Sequence, residues 1–248
     1  MSSLSLSSFS PSLRPSMSPI TLPPINTGAL LLHAGAAATM AYGYMGLQTL
    51  PIHAFIASQK GGHFQFLTIL GLAVAFVTML LSMLADLAPV LTLVKRTKRA
   101  VFMIAMPLAV VISTIYWTLL FVCPQLILRE DESLDTEPSS SVEAPTFTRI
   151  PLQMDIALHA VPAISLLLDF FLLERKYSTK HAVYGGFIVA ASSGIWYSWW
   201  VEECGKYNGI FPYPFLTFSP FHIRIAIYSV ATTFAYVCFL VLNFIRRA

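Results

Sequence analysis

Charge is scarce in this 248-residue chain, where Asp, Glu, Lys and Arg make up 11% of residues against 56% apolar ones. A soluble domain carries roughly twice that share of charge, so one large or two small soluble domains are excluded. Cysteine is equally thin: three residues, Cys123, Cys204 and Cys238, form no zinc pattern. The six histidines lack a metal spacing such as H-E-x-x-H. No internal repeat is evident, which removes support for an inverted-repeat transporter. The first 26 residues are rich in Ser and Pro with Arg14 as their one basic residue, so they have neither an apolar signal core nor the repeated Arg of a transit peptide. They read as a disordered tail.

What the chain does have is long apolar runs. A span needs about 20 mostly apolar residues to cross roughly 30 Å of hydrocarbon. Six stretches qualify, near residues 28–48, 64–88, 101–122, 154–173, 181–201 and 221–245. Unpaired backbone groups cannot face lipid, and the runs are too continuous for barrel strands, so the expected fold is all-α: a polytopic six-transmembrane-helix bundle. The domain plan is a tail over 1–26 and a membrane domain over 27–248, with residues 124–152 as an acidic outer loop. The first span is read as a retained signal anchor, and its small residues (Gly35, Ala36 to Ala38, Gly43, Gly46) as a surface for close helix packing.

Basic residues set the expected orientation. Arg14, then Lys95, Arg96, Lys98 and Arg99, then Arg175, Lys176 and Lys180, then Arg246 and Arg247 share one side, ten against four (Lys60, Arg129, Arg149, Lys206) on the other. The excess puts both termini in the cytosol. On the opposite side fall the acidic loop, with Glu130, Asp131, Glu132, Asp135, Glu137 and Glu143, and the cluster Trp196, Tyr197, Trp199 and Trp200. That cluster reads as a headgroup belt, with the lining of a lipid pocket as the alternative. Cys123 and Cys204 share that side and could pair where it is oxidising, whereas Cys238 is expected to lie buried in the last span.

Two polar residues stand out near the heads of spans two and four. Thr68 and His159 each lie about five residues past the expected start of a span, hence roughly 7 Å below the boundary. A hydroxyl becomes a nucleophile when a base takes its proton, and an imidazole does that at neutral pH, so the pair suits acyl transfer. The bland alternative has Thr68 bonding back to a helix carbonyl and His159 packed as a satisfied core residue. An oxyanion hole is also required, with the Gly61-Gly62 backbone as a first guess. Asp86 lies five helical turns after Thr68 and Asp169 ten residues after His159; both read as structural hydrogen-bond partners before catalytic ones. Asp155, four residues before His159, either orients the imidazole or is an exposed acid favoured by the helix dipole, and the second reading is preferred. His33 and His159 lie at opposite depths, which argues against a haem between them, although His63 or His222 could partner His159.

Gly61-Gly62 followed by Phe66-Leu67-Thr68, then Asp86-Leu87, His159 with Asp169 after it, and Pro212-Tyr213-Pro214-Phe215 before the last span together resemble the androgen-induced-protein (FAR-17a-like) family. Its members are multi-pass membrane threonine hydrolases, and the animal ones cleave fatty acid esters of hydroxy fatty acids. The resemblance runs from about residue 60 to 245. It implies that Thr68 is the nucleophile and His159 the essential histidine, with Asp86 and Asp169 on acidic positions of the pattern. Where the family often has Asn-His-x-x-His, this chain has Asp155-Ile156-Ala157-Leu158-His159, so the first histidine is missing.

The expected function is therefore a threonine-dependent carboxylic ester hydrolase of the endomembrane system (endoplasmic reticulum) or plasma membrane, acting in lipid metabolism. It needs no cofactor and no metal, and its partners are a lipid ester substrate and membrane lipid, with no nucleic acid. The alternatives are a lipid or proton-coupled transporter, a haem redox protein and a non-catalytic membrane scaffold.

Overall fold

The computed structural model describes residues 26–128 and 149–246. The expected Ser/Pro-rich tail, up to its last residue Asn26, and the body of the expected acidic loop lie outside the described residues. Among the described residues every regular element is helical, in the order α1 Thr27–Gly46, α2 His53–Ser58, α3 Leu67–Leu87, α4 Thr92–Val122, α5 Leu152–His159, α6 Val161–Leu168, α7 Gly186–Asn208, α8 Pro214–Thr217 and α9 Phe221–Ile245. Five-residue π-helical turns extend α6 over Asp169–Leu173 and precede α7 over His181–Gly185.

The all-α polytopic class expected from composition is what the structure has. By length and apolarity α3, α4 and α9 each suffice to cross a membrane, with mean hydropathies of 2.4, 2.0 and 2.1. A fourth crossing is made if α5 and Val161–Leu173, bent by 42° at their junction, count as one. The expected number of six is not reached by this measure, because α1 is diluted by Gly, Thr, Tyr and His33 and α7 by Ser192, Ser193, Ser198, Glu202 and Glu203. The bend has a local cause: Pro162 lacks an N–H and its ring crowds the carbonyl of Leu158, which ends α5 at His159.

Helix α4 is the spine. One side of it packs α3, α1, α5 and α6 into the main core, built around Met40, Met79, Phe102, Met106, Leu166 and Phe170. The other side meets α7 and α9, which pack on each other. The small-residue face of α1 divides as packing requires. A Cβ on Gly43 would meet Ala157 at 3.0 Å and one on Gly46 would meet Met154 Cε at 2.6 Å, so α5 lies directly on this face, whereas Gly35 has nothing within 4 Å.

One expected loop is a correction. Lys95, Arg96, Lys98 and Arg99 were assigned to a connector before residue 101, yet α4 starts at Thr92 and carries all four in its first turns. The reason lies in what Lys98 meets. Its ammonium, only 6% exposed, donates to Asp169 Oδ1 at 3.1 Å and lies 2.9 Å from Glu174 Oε1. Asp169, wholly buried, also accepts from Ser82 Oγ at 3.3 Å and lies 3.2 Å from His33 Nε2 in ion-pair range without an aligned hydrogen bond. His33 Nδ1 in turn is 2.7 Å from Asp86 Oδ2. Asp86 and Asp169 thus have the structural partners expected of them, at the far end of α3 from Thr68.

Two outcomes follow for the detergent-solubilised protein. Gly43→Leu should lower stability by about 1–3 kcal/mol by driving α1 off α5, while Gly35→Leu should leave the melting temperature nearly unchanged. Lys98→Met, which strands the buried Asp169 carboxylate, should cost about 3 kcal/mol or more on the same assay.

Candidate functional site

Thr68 is the second residue of α3, and the way that helix starts defines its surroundings. Phe66, at the N-cap, offers no side-chain acceptor, so the first amides of α3 need partners from elsewhere. The Tyr213 hydroxyl supplies one: it accepts from the Leu67 N–H at 3.0 Å and lies beside the Thr68 side chain. Tyr213 comes from the Pro212-Tyr213-Pro214-Phe215 segment, where it stacks on Phe215 at 5.4 Å and meets Phe66 edge-on at 5.6 Å.

The half-buried Thr68 side chain faces a cavity of about 810 Å³ between α3 and α4 on one wall and α7 and α9 on the other. Its lining is overwhelmingly apolar, from Leu70, Val111, Ile115, Val189, Ala231 and Phe239 among others, with a few hydroxyls (Thr68, Tyr116, Tyr197, Tyr213, Tyr228) near one end. Ser192, Ser193, Thr232 and Tyr236 add further hydroxyls to a lining that otherwise suits a long hydrocarbon chain. Trp196 and Tyr197 belong to this lining while Trp199 stays 59% exposed, so the aromatic cluster is part pocket wall and part outer belt. Trp200 instead donates from its indole N–H to Phe64 O at 3.0 Å.

His159 lies behind that wall. The break at Pro162 leaves it as the last residue of α5, 7% exposed, and its ring is laid flat on Tyr116 with centroids 3.4 Å apart and planes within 1°. Tyr116 lines the cavity and His159 does not, so the phenol ring stands between imidazole and cavity. No direct bond joins Thr68 and His159 among the described residues, although α3 and α5 pack on one another. The equal depth expected for them also shifts, since α3 begins at Leu67 and α5 at Leu152, making Thr68 the second residue of its helix and His159 the eighth of its own.

Asp155 is a correction to the preferred expectation. It is 6% exposed rather than a solvated helix-end acid, and its Oδ1 is 2.7 Å from His159 Nδ1. Tyr116 bonds the same carboxylate. A carboxylate on Nδ1 holds the proton there and leaves Nε2 with its lone pair, the tautomer a general base requires. The Gly61-Gly62 guess also fails: the Gly62 N–H is taken by Gln59 O at 3.0 Å, and neither glycine lines the cavity. Gly61 and Gly62 instead serve a tight turn at φ 84° and 48°.

The remaining candidates fall elsewhere. His63 and His53 bond to each other, Nε2 to Nδ1 at 2.9 Å. Cys123 and Cys204 are unpaired, and Cys238 is half-buried rather than enclosed. Tyr116 and Tyr213 are the site residues that sequence reasoning passed over as functional. The Pro-Tyr-Pro-Phe string was visible, but nothing in it reveals that the phenol reaches the start of α3.

Residues 28–247 match the family described as FAR-17a/AIG1-like protein. A UPF0641 membrane protein of Schizosaccharomyces pombe is 28% identical over 191 residues, covering 77% of this chain and 78% of that protein. No solved structure matches.

The cavity reading carries its own check. Ala231→Trp would fill part of the chamber, and binding of a long-chain fluorescent acyl probe should weaken about tenfold, equivalent to displacing roughly two methylenes at about 0.8 kcal/mol each. Unchanged affinity would mean that the chain binds elsewhere.

Proposed function

Because the chain belongs to the FAR-17a/AIG1-like family, we propose that it is an intramembrane hydrolase of lipid esters, with fatty acid esters of hydroxy fatty acids as the substrate class. The observation that carries this reading is a hydroxyl, Thr68, opening onto an apolar chamber of about 810 Å³ whose wall continues through Tyr116 to a buried His159–Asp155 pair. The acyl chain stays in the chamber, which spares it the transfer cost of about 0.8 kcal/mol per CH₂ on leaving hydrocarbon. Only the ester carbonyl has to reach the polar end.

In the proposed reaction the Thr68 oxygen forms a bond to the carbonyl carbon while His159 Nε2 takes its proton. Collapse of the tetrahedral intermediate breaks the bond to the alcohol oxygen, which receives that proton. Water, deprotonated by the same imidazole, then releases the fatty acid and restores the threonine hydroxyl. Asp155 holds the imidazole tautomer throughout. For His159 to meet the hydroxyl the Tyr116 ring must swing aside, a side-chain rotation that an entering chain would drive. The cycle as proposed runs on Thr68 and His159 without a cofactor or metal, at an endomembrane or plasma-membrane location with both termini in the cytosol.

The buried chain His33, Asp86, Asp169 and Lys98 favours a second reading, proton-coupled transport, since ionisable groups inside spans often line proton routes. The two readings part on Thr68. Hydrolysis of a hydroxy-fatty-acid ester in detergent should fall by about three orders of magnitude or more in Thr68→Ala and in His159→Ala, and by about 10²- to 10⁴-fold in Asp155→Asn. Circular dichroism and melting should remain those of a folded protein. Equal rates in wild type and Thr68→Ala would remove the hydrolase reading.

A further inference from the structure

We propose that Tyr213 is the oxyanion donor of this site, a catalytic residue supplied by the loop before the last helix. This rests on the hydrolase reading above and adds to it the group that stabilises the tetrahedral intermediate.

The position of the phenol carries the argument. Its hydroxyl accepts from the Leu67 N–H at 3.0 Å and lies beside the Thr68 side chain at the same end of the chamber, so it sits next to the attacking oxygen. When Thr68 adds to an ester carbonyl, the new oxyanion is two bonds away from that attacking oxygen. A donor already beside the attacking oxygen reaches the oxyanion with a small swing. The Leu67 amide that points at the Tyr213 oxygen from the start of α3 withdraws electron density from it, which strengthens its O–H as a donor.

The phenol is also held in place and kept protonated. Prolines 212 and 214 restrict its backbone, Phe66 and Phe215 grip its ring, and the Phe211 N–H donates to Thr217 Oγ1 at 3.1 Å to close the loop behind it. The Tyr197 hydroxyl, which donates to Gln65 O at 3.4 Å, lies beside it from α7, making Tyr197 a positioning residue. Burial pushes the Tyr213 pKa above its usual value, so at neutral pH it is a donor and not a base. That division leaves proton transfer to His159. During attack the carbonyl π electrons move onto oxygen, the Thr68 proton passes to His159, and Tyr213 keeps its proton while donating a hydrogen bond to the oxyanion.

The test uses the full chain in detergent with a hydroxy-fatty-acid ester, comparing wild type, Thr68→Ala, Tyr213→Phe and Tyr213→3-fluorotyrosine. Tyr213→Phe keeps the ring and should lower kcat by about 10²- to 10³-fold with KM little changed. The fluorinated phenol has the same shape and a lower pKa, so it should retain turnover at neutral pH and move the alkaline limb of the kcat profile to lower pH. A structural cap alone would move neither kcat without KM nor that limb. Tyr213→Phe turning over within about threefold of wild type while Thr68→Ala is dead would overturn the assignment. So would an alkaline limb that fluorination leaves in place, a measurement that stands even if Tyr213→Phe fails to fold. Wild-type rates in Thr68→Ala would instead bring down the hydrolase reading itself.

Discussion

A polar group enclosed in a bundle within hydrocarbon has no water to turn to, so it must find its partner in the bundle. The rest of this structure depends on one such meeting, Lys98 with Asp169. It ties the first turns of α4 to the end of α6, and through Ser82, His33 and Asp86 it brings in α3 and α1. The next segment is fastened to the same point: Glu174 takes Lys98 and Arg99, and Tyr177 exchanges bonds with Asn243 of α9. Helices α1, α3, α4 and α6 are thereby pinned at one pole, and α9 is tied on through Asn243. Their opposite ends, where Thr68, Tyr116 and His159 lie, inherit that registration over roughly 27 Å of α3, counted at 1.5 Å per residue from Asp86 to Thr68.

The two poles are chemically unlike. At the pinned pole charges are matched to charges, and the groups are held where they are. At the other pole hydroxyls gather at the end of an apolar chamber, with His159 and Asp155 behind the Tyr116 wall. The charges there are paired as well: Arg224 meets Glu202, which also accepts from the Tyr228 hydroxyl, and Lys60 meets Glu203. Such a chamber suits a ligand that is mostly hydrocarbon. The Tyr116 ring, stacked on His159, separates the imidazole from the chamber.

Much of this was legible in the residues. Continuous apolar runs with so little charge required helices, and the positions of Thr68, His159, Asp86 and Asp169 could be singled out because polar groups inside such runs are costly. Asp86 and Asp169 were read as structural partners, and they are. Other features could not be read. The four basic residues before 101 looked like a loop because charge usually marks one; they are helical because Lys98 has two buried carboxylates to meet, and those lie 71 and 76 residues further along. Asp155 looked like a solvated acid because its neighbours in sequence do not disclose that α4 lies over it.

Sequence by itself determined the all-helical membrane class, since long apolar runs must satisfy their own backbone groups; the break at Pro162, which makes His159 the last residue of α5, went unread in a stretch taken as one span. Tertiary structure decided which groups share a site. Tyr213 reaches Thr68 from 145 positions away and Tyr116 covers His159 from 43, because helices and loops distant along the chain are brought side by side. No local pattern encodes such a meeting; it is set by how close-packed helices fill space around a pinned pole.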